Sequence, residues 1–201
     1  MTAEGLERKP VPSLPADAPD VTIVLVGLNA RQFVLDCLAS IRDATWRDVT
    51  WHAVYVDNGS RDGSADAVRE AHPWATVLAN PENLGYCPAA NQGARSVPAR
   101  HYYFINDDTL VRGDAIARTV ELMDADPSIG TVGSRLIYPD GEEQYSGRAF
   151  PSMWNAIFSR RSPLSRMFPN LPAVKRYLHT EDLARGQPFD VDWVSAAGQI
   201  V

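Results

Sequence analysis

The chain has 201 residues, of which 45% are hydrophobic and 22% charged, and its formal net charge is -6. That is enough apolar material for one domain with a real core. The acidic balance argues against nucleic acid as a partner, and a diphosphate ligand would need a local cation or a few placed arginines.

Residues 1–19 hold Pro10, Pro12, Pro15 and Pro19 and few large apolar groups, which predicts a flexible leader. There is no apolar signal-peptide core at the N-terminus. No run approaches the roughly 18 apolar residues of a membrane span. Two cysteines, Cys37 and Cys87, make no disulfide framework and suit reduced thiols in the cytoplasm.

Residues 21–26 are nearly all apolar, as expected for a strand buried on both faces of a parallel sheet. Val34, Leu35, Leu38 and Ile41 mark the apolar face of a following helix. A second strand spans 51–56 and ends at Asp57-Asn58-Gly59-Ser60; Asp62 or Ser64 caps a helix that runs to about Ala71. Residues 76–78 form a short third strand, 80–85 a turn-rich loop, and 88–95 a helix with Pro88 in its first turn. A fourth strand, 101–105, runs into Asn106-Asp107-Asp108-Thr109.

Gly113-Asp114 opens a helix carrying Ile116, Val120 and Met123, which stops at Asp126-Pro127. Residues 129–138 are expected as a strand and Pro139-Asp140-Gly141 as a turn. From 151 to 188 prolines recur and 159–178 holds five basic residues and no acid, which predicts an irregular arm. Residues 190–201 are expected as one last strand. Strands alternating with helices predict an α/β sandwich around a mostly parallel sheet. The expected organisation is a leader over 1–19, an α/β domain over 20–150, and an arm with an incomplete final strand over 151–201.

In open α/β sheets, ligands bind beyond the carboxyl ends of the strands. Three strands here end in polar clusters: Gly27-Leu28-Asn29, Asp57-Asn58-Gly59-Ser60 and Asn106-Asp107-Asp108. Parallel strands put all three on one edge. Asp57 sits where dinucleotide folds hold a ribose hydroxyl, or is a turn residue before Gly59. The G-x-G-x-x-G fingerprint is absent, which disfavours a hydride-transfer cofactor. Asp107 and Asp108 repel unless a cation or water intervenes, and their hard oxygens suit Mg²⁺ or Mn²⁺; the alternative is that they cap the next turn.

Taken in order, Val56-Asp57-Asn58-Gly59-Ser60-Arg61-Asp62-Gly63-Ser64, Asn80-Pro81-Glu82-Asn83-Leu84-Gly85-Tyr86, Asn91-Gln92-Gly93 and Asn106-Asp107-Asp108-Thr109 resemble family 2 glycosyltransferases with the GT-A fold. The resemblance is strongest to their rhamnosyltransferase-like branch, which Ser146-Gly147-Arg148 and Val191-Asp192-Trp193-Val194-Ser195 also resemble. It implies a GT-A-like three-layer α/β/α sandwich, C-terminally truncated. It implies a nucleotide-sugar site formed by Leu28, Asn29, Asp57, Asn83, Gly85, Asn91 and Asp107, with Asp108 and Asn106 as ligands to a divalent cation, Mg²⁺ or Mn²⁺. The implied reaction is an inverting, metal-assisted transfer of a hexosyl or rhamnosyl group from a nucleoside-diphosphate sugar to a glycan or lipid-linked acceptor, in cell-wall or polysaccharide biosynthesis.

The resemblance also puts the general base downstream of the Trp193-Val194-Ser195 strand, so none is assigned; Asp192 and Glu143 are better placed as surface acids. The basic stretch 159–178 can touch an anionic membrane at its cytoplasmic face, steer a diphosphate, or be a solvated loop. Three alternatives stand beside the transferase: a truncated or inactive nucleotide-sugar-binding module, a nucleotidyltransferase, and a flavodoxin-like interaction domain. The loop after strand one is short, with Arg31 its only basic residue, which counts against the second of these.

Overall fold

A computed structural model describes residues 14–150 and 179–201. Four parallel strands form its centre: β1 (Val21–Gly27), β2 (Trp51–Asp57), β3 (Thr76–Ala79) and β4 (His101–Asn106). The sheet is completed by β5 (Val132–Gly133) and β8 (Gln199–Ile200), in the order β3-β2-β1-β4-β8-β5, with β8 antiparallel to both neighbours. Four helices connect the parallel strands and the start of β5: α1 (Arg31–Arg42), α2 (Ser64–Ala71), α3 (Tyr86–Ser96) and α4 (Ala115–Ala125).

Hydrophobic patterning decides which helix covers which face. The side chains of Ile23, Leu25, Tyr55 and Ile105 pack in one cluster with Val34, Leu38 and Ile41 of α1, Val68 of α2, and Ile116 and Val120 of α4. Val54 and Val56 pack on the opposite face with Ala89 of α3. Alternate residues of one strand point to opposite faces, so β2 feeds both cores. The result is the expected three-layer α/β/α sandwich around a mostly parallel sheet. α3 lies close to that sheet because Gly93 has no side chain: a Cβ there would sit 2.6 Å from Val24 Cγ1 and 3.0 Å from Val56 Cγ2.

The topology creates a crevice position. From β1 the chain moves outward through β2 and β3, then returns to add β4 on the other side of β1. The strand order therefore reverses between β1 and β4, which is where α/β sheets bind ligands. Register brings the strand ends level, with Gly27 opposite Asp57 and Val26 opposite Asn106.

Two expected strands differ from what is observed. Within 129–138 only Val132–Gly133 is extended in the sheet, and Ile137 makes an isolated bridge to Glu143 instead. The expected strand 190–201 is split in two. β7 (Trp193–Val194) pairs with β6 (Gly147–Arg148) in a small separate sheet, while β8 joins β4. Gly198 makes the break: its φ of 85° lies in the left-handed region, and a Cβ there would approach Tyr103 Oη to 3.1 Å. A short helix, α5 (Thr180–Arg185), lies in the segment expected to be irregular and ends at Gly186 with φ of 66°. The remainder of the arm, including basic residues 159–178, lies outside the described residues, as does the leader up to residue 13. Among the described residues, no helix is long and apolar enough to cross a membrane.

Candidate functional site

The edge at the carboxyl ends of β1, β2 and β4 is built around the missing side chain of Gly27. A Cβ at Gly27 would lie 2.5 Å from Asp107 Oδ2 and 2.9 Å from Tyr55 Oη. A carboxylate from just past β4 and a phenol from β2 therefore meet over β1 because β1 ends in glycine. Tyr55 and Asp57 are two apart on one strand and face the same way. The Tyr55 hydroxyl donates to Asp57 Oδ1 at 3.4 Å. Burial, and after it the Asp57 charge, raise the Tyr55 pKa, so the phenol stays a donor.

Asp57 is 4% exposed, and its Oδ1 also accepts the hydroxyl of Ser60. The same Ser60 Oγ accepts the Asn29 N–H at 2.8 Å. Asn29 has φ of 53°, which turns its amide back so that Oδ1 accepts the Arg61 N–H at 2.8 Å. Asp62 Oδ2 accepts the Arg31 N–H at 3.0 Å, and its Oδ1 accepts the Ser64 N–H. The loop after β1 is thus stitched to the loop after β2, with Leu28 left 42% exposed at the rim.

Asn106 closes β4. Its carbonyl accepts the Thr109 N–H at 3.2 Å and faces Cys37 Sγ of α1 at 3.7 Å. The buried Cys37 thiol is pushed up by burial, then by Asp107 and Asp108, so it remains a protonated support beneath the turn. Asp107 is half-buried and its carboxyl is raised to about 6, by burial first and by Asp108 second. Asp108 is exposed. Among the described residues, no ion pair reaches either carboxylate, and no group of three or more His, Cys, Asp or Glu residues could hold a metal alone. Two adjacent carboxylates, one half-buried and one at the surface, offer hard oxygens that fit a divalent cation.

The loop over 80–85 approaches from the β3 side. Asn83 and Gly85 both bond to Asn58, which is 3% exposed. Asn83 Oδ1 also accepts the Gly85 N–H at 2.8 Å, so a ligand contact from this side chain falls to its Nδ2. Asn91 is exposed on α3. Asn29, Asp57 and Asp107 are therefore joined through Ser60, Tyr55 and Gly27, and Asn83 and Gly85 join them through Asn58. Tyr55, Asn58 and Ser60 went unassigned in the sequence. The i, i+2 spacing of Tyr55 and Asp57 is the signal that would have found the first. Glu143 pairs with Arg135, and Asp192 Oδ2 accepts the Phe150 N–H at 2.7 Å, in keeping with their place as surface acids.

This sheet, with acidic and amide side chains gathered at its point of strand reversal, is an open α/β sheet of the kind that binds ligands at that point. The sequence profile of glycosyl transferase family 2 matches residues 22–176. The chain belongs to that family.

Among solved structures, the chain is similar to a mannosyltransferase, PcManGT, from Pyrobaculum calidifontis in complex with GDP-Man and Mn²⁺. Identity is 28% and the TM-score 0.54, over 67% of this chain and 41% of that one. It is also similar to TarS of S. aureus, solved as residues 1–349 with UDP-GlcNAc, at 15% identity and a TM-score of 0.48, over 53% of this chain and 31% of the other. The chain thus spans less than half the length of either structure. No curated protein matches it.

Proposed function

We propose that the chain forms the donor site of a glycosyltransferase, which takes a hexosyl or rhamnosyl group from a nucleoside-diphosphate sugar and passes it to a glycan or lipid-linked acceptor. The observation that carries this reading is the meeting of Asp107, Tyr55 and Asp57 over Gly27 at the strand reversal. Similarity to a mannosyltransferase complexed with GDP-Man and Mn²⁺ supports it and favours a hexosyl donor.

In this reading Asp57 and Asn29 fix the nucleoside, with Leu28 against the base. Asn83, Gly85 and Asn91 border the sugar-diphosphate. Asp107, Asp108 and Asn106 would hold a divalent cation, Mg²⁺ or Mn²⁺. When bound, the cation neutralises charge that develops on the leaving diphosphate. The chain's own work is placement. The hydrogen bonds that tie Asp57 to Tyr55 and Ser60, and Asn29 to Ser60 and Arg61, hold the polar groups in place, so little reorganisation is left for the reacting complex. Inversion, and action at the cytoplasmic face of a membrane through the basic stretch 159–178, are parts of the same proposal.

A thermal-shift panel of UDP-, GDP- and dTDP-sugars with and without Mn²⁺ tests the reading, because a ligand of the folded state raises Tm. A Mn²⁺-dependent rise is expected for at least one donor and is expected to vanish in Asp108→Ala. A rise that survives the substitution unchanged removes Asp108 from the site. No rise with any donor ends the reading.

A further inference from the structure

Asn58 precedes Gly59 in the turn after β2, and its side chain is buried at the centre of a polar lattice. Asn58 Oδ1 accepts the Leu84 N–H at 3.1 Å and Asn80 Nδ2 at 3.3 Å. Its Nδ2 donates to Asn83 Oδ1 at 2.8 Å and to the Gly85 carbonyl at 3.4 Å. All four bonding positions of the amide are used. The Asn58 N–H donates to the Gly27 carbonyl at 2.8 Å, while the Asp57 carbonyl accepts the Asn80 N–H at 2.8 Å.

The orientation of this lattice follows from two backbone groups. Leu84 N–H can only donate, which fixes the oxygen side of Asn58; the Gly85 carbonyl can only accept, which fixes the nitrogen side. Asn80 must then present its nitrogen to Asn58 and its oxygen to Gln92 Nε2, at 3.0 Å. Gln92 Oε1 takes the second Asn80 hydrogen at 2.9 Å. One ordered chain of amides therefore runs from α3 through the 80–85 loop to the end of β2. Nearby, a Cβ on Gly59 would meet the Glu82 backbone at 2.8 Å, so the loop rests directly on the turn that carries Asn58.

We infer that Asn58 is a positioning residue: it holds the 80–85 loop, with Asn83 and Gly85, at the height of Gly27 and Asp57, and so sets affinity for the donor nucleotide rather than the rate of the chemical step. The affinity half of this inference rests on the donor-site reading; the loop half does not.

The substitution Asn58→Asp distinguishes a directional lattice from simple filling. It preserves shape and the acceptor toward Leu84 N–H. It replaces the donor with a second oxygen that faces the Asn83 and Gly85 oxygens. Near neutral pH the introduced carboxylate repels both. When protonated it can donate again, so the damage is reversible with acid.

The experiment compares wild type, Asn58→Asp and Asn83→Ala as full chains. It reads amide hydrogen exchange over 80–86, corrected for intrinsic rate, and affinity for GDP or UDP with Mn²⁺, whichever binds wild type more tightly. Near neutral pH, exchange in Asn58→Asp is expected to rise, and nucleotide affinity to fall, by about tenfold or more, as lost buried hydrogen bonds of this kind imply. Both changes are expected to shrink as the pH is lowered toward about 5. In turnover, KM is expected to rise with kcat little changed.

Asn83→Ala removes an exposed acceptor, which spares folding, and is expected to loosen the same amides without the pH dependence. Wild-type exchange in both variants overturns the inference. So does loosening in Asn58→Asp that is independent of pH, or a fall in kcat with KM unchanged. If neither nucleotide binds wild type, the donor-site reading fails and takes the affinity half with it. The exchange data still decide whether Asn58 holds the loop.

Discussion

Gly27 is the residue on which the site closes. The Asp107 carboxylate and the Tyr55 hydroxyl both occupy the space a side chain would fill. Gly27→Ala is therefore expected to push Asp107 away from β1. Overpacking of this sort costs about 1–3 kcal/mol, so a fall in the chemical-denaturation midpoint should accompany loss of the Mn²⁺-dependent nucleotide shift. An alanine variant with unchanged nucleotide affinity would mean that Asp107 need not lie over β1 to serve. The residues of this site divide by how far their partners lie along the chain. Asp57, Asp107 and Asp108 can be nominated from sequence because they follow apolar strand runs and their shared edge follows from the fold. Asn58 and Ser60 were not, because their partners at Leu84, Gly85 and Asn29 lie some tens of residues away and turn chemistry alone accounts for an Asn-Gly-Ser run.

At the scale of elements, α3 shows local propensity set against packing. Alanine is favoured over glycine inside a helix by about 1 kcal/mol. Gly93, however, faces Val24 and Val56 at distances too short for a Cβ. Gly93→Ala is expected to lower stability by about 1–3 kcal/mol despite the propensity gain. Equilibrium unfolding checks the sign, and a more stable variant would show that α3 can lift off the sheet without penalty.

At the C-terminal end of α2, His72 packs edge-on to Trp74 with centroids 5.5 Å apart, and its Nε2 bonds to the Leu35 carbonyl. Burial lowers its pKa most. The Leu35 carbonyl works the other way, and Arg42 adds a further lowering. A depressed folded-state pKa contributes stability above the unfolded value of about 6.5, and that stability is lost as the pH falls through the folded value. The Tm of wild type should therefore drop more than that of His72→Phe between about pH 7.5 and about pH 5. Parallel curves for the two proteins would show that His72 charges as freely folded as unfolded.

The elements themselves were legible where one pattern decided them. β1, β2 and β4 follow from apolar runs between helices, and α1 from the spacing of Val34, Leu38 and Ile41. The stretch 190–201 reads as one strand because its apolar pattern continues through Gly198, where the backbone leaves one sheet and enters another. The left-handed φ at Gly198 and the closeness of Tyr103 and Leu136 call for that glycine, and sequence periodicity carries no trace of either.

For the whole molecule, the strand order 3-2-1-4 brings together loops near residues 29, 57, 83 and 107 at one edge. The proposed donor site depends on register more than on any single bond, since Gly27, Asp57 and Asn106 must end level. That the central strands run parallel could be expected from alternating strands and helices. The antiparallel entry of β8 between β4 and β5 could not, because those short strands carry too few residues for a period to emerge. The central proposal is that Asp107, brought beside Gly27 by this topology, and its neighbour Asp108 hold a cation that meets the donor diphosphate. Anomalous scattering from Mn²⁺ in crystals grown with the nucleoside diphosphate that binds best locates that cation directly. The account predicts one peak within coordination distance of the Asp107 or Asp108 carboxylate and of the diphosphate. A nucleotide bound at another edge of the sheet, or a manganese peak away from both carboxylates, would contradict it.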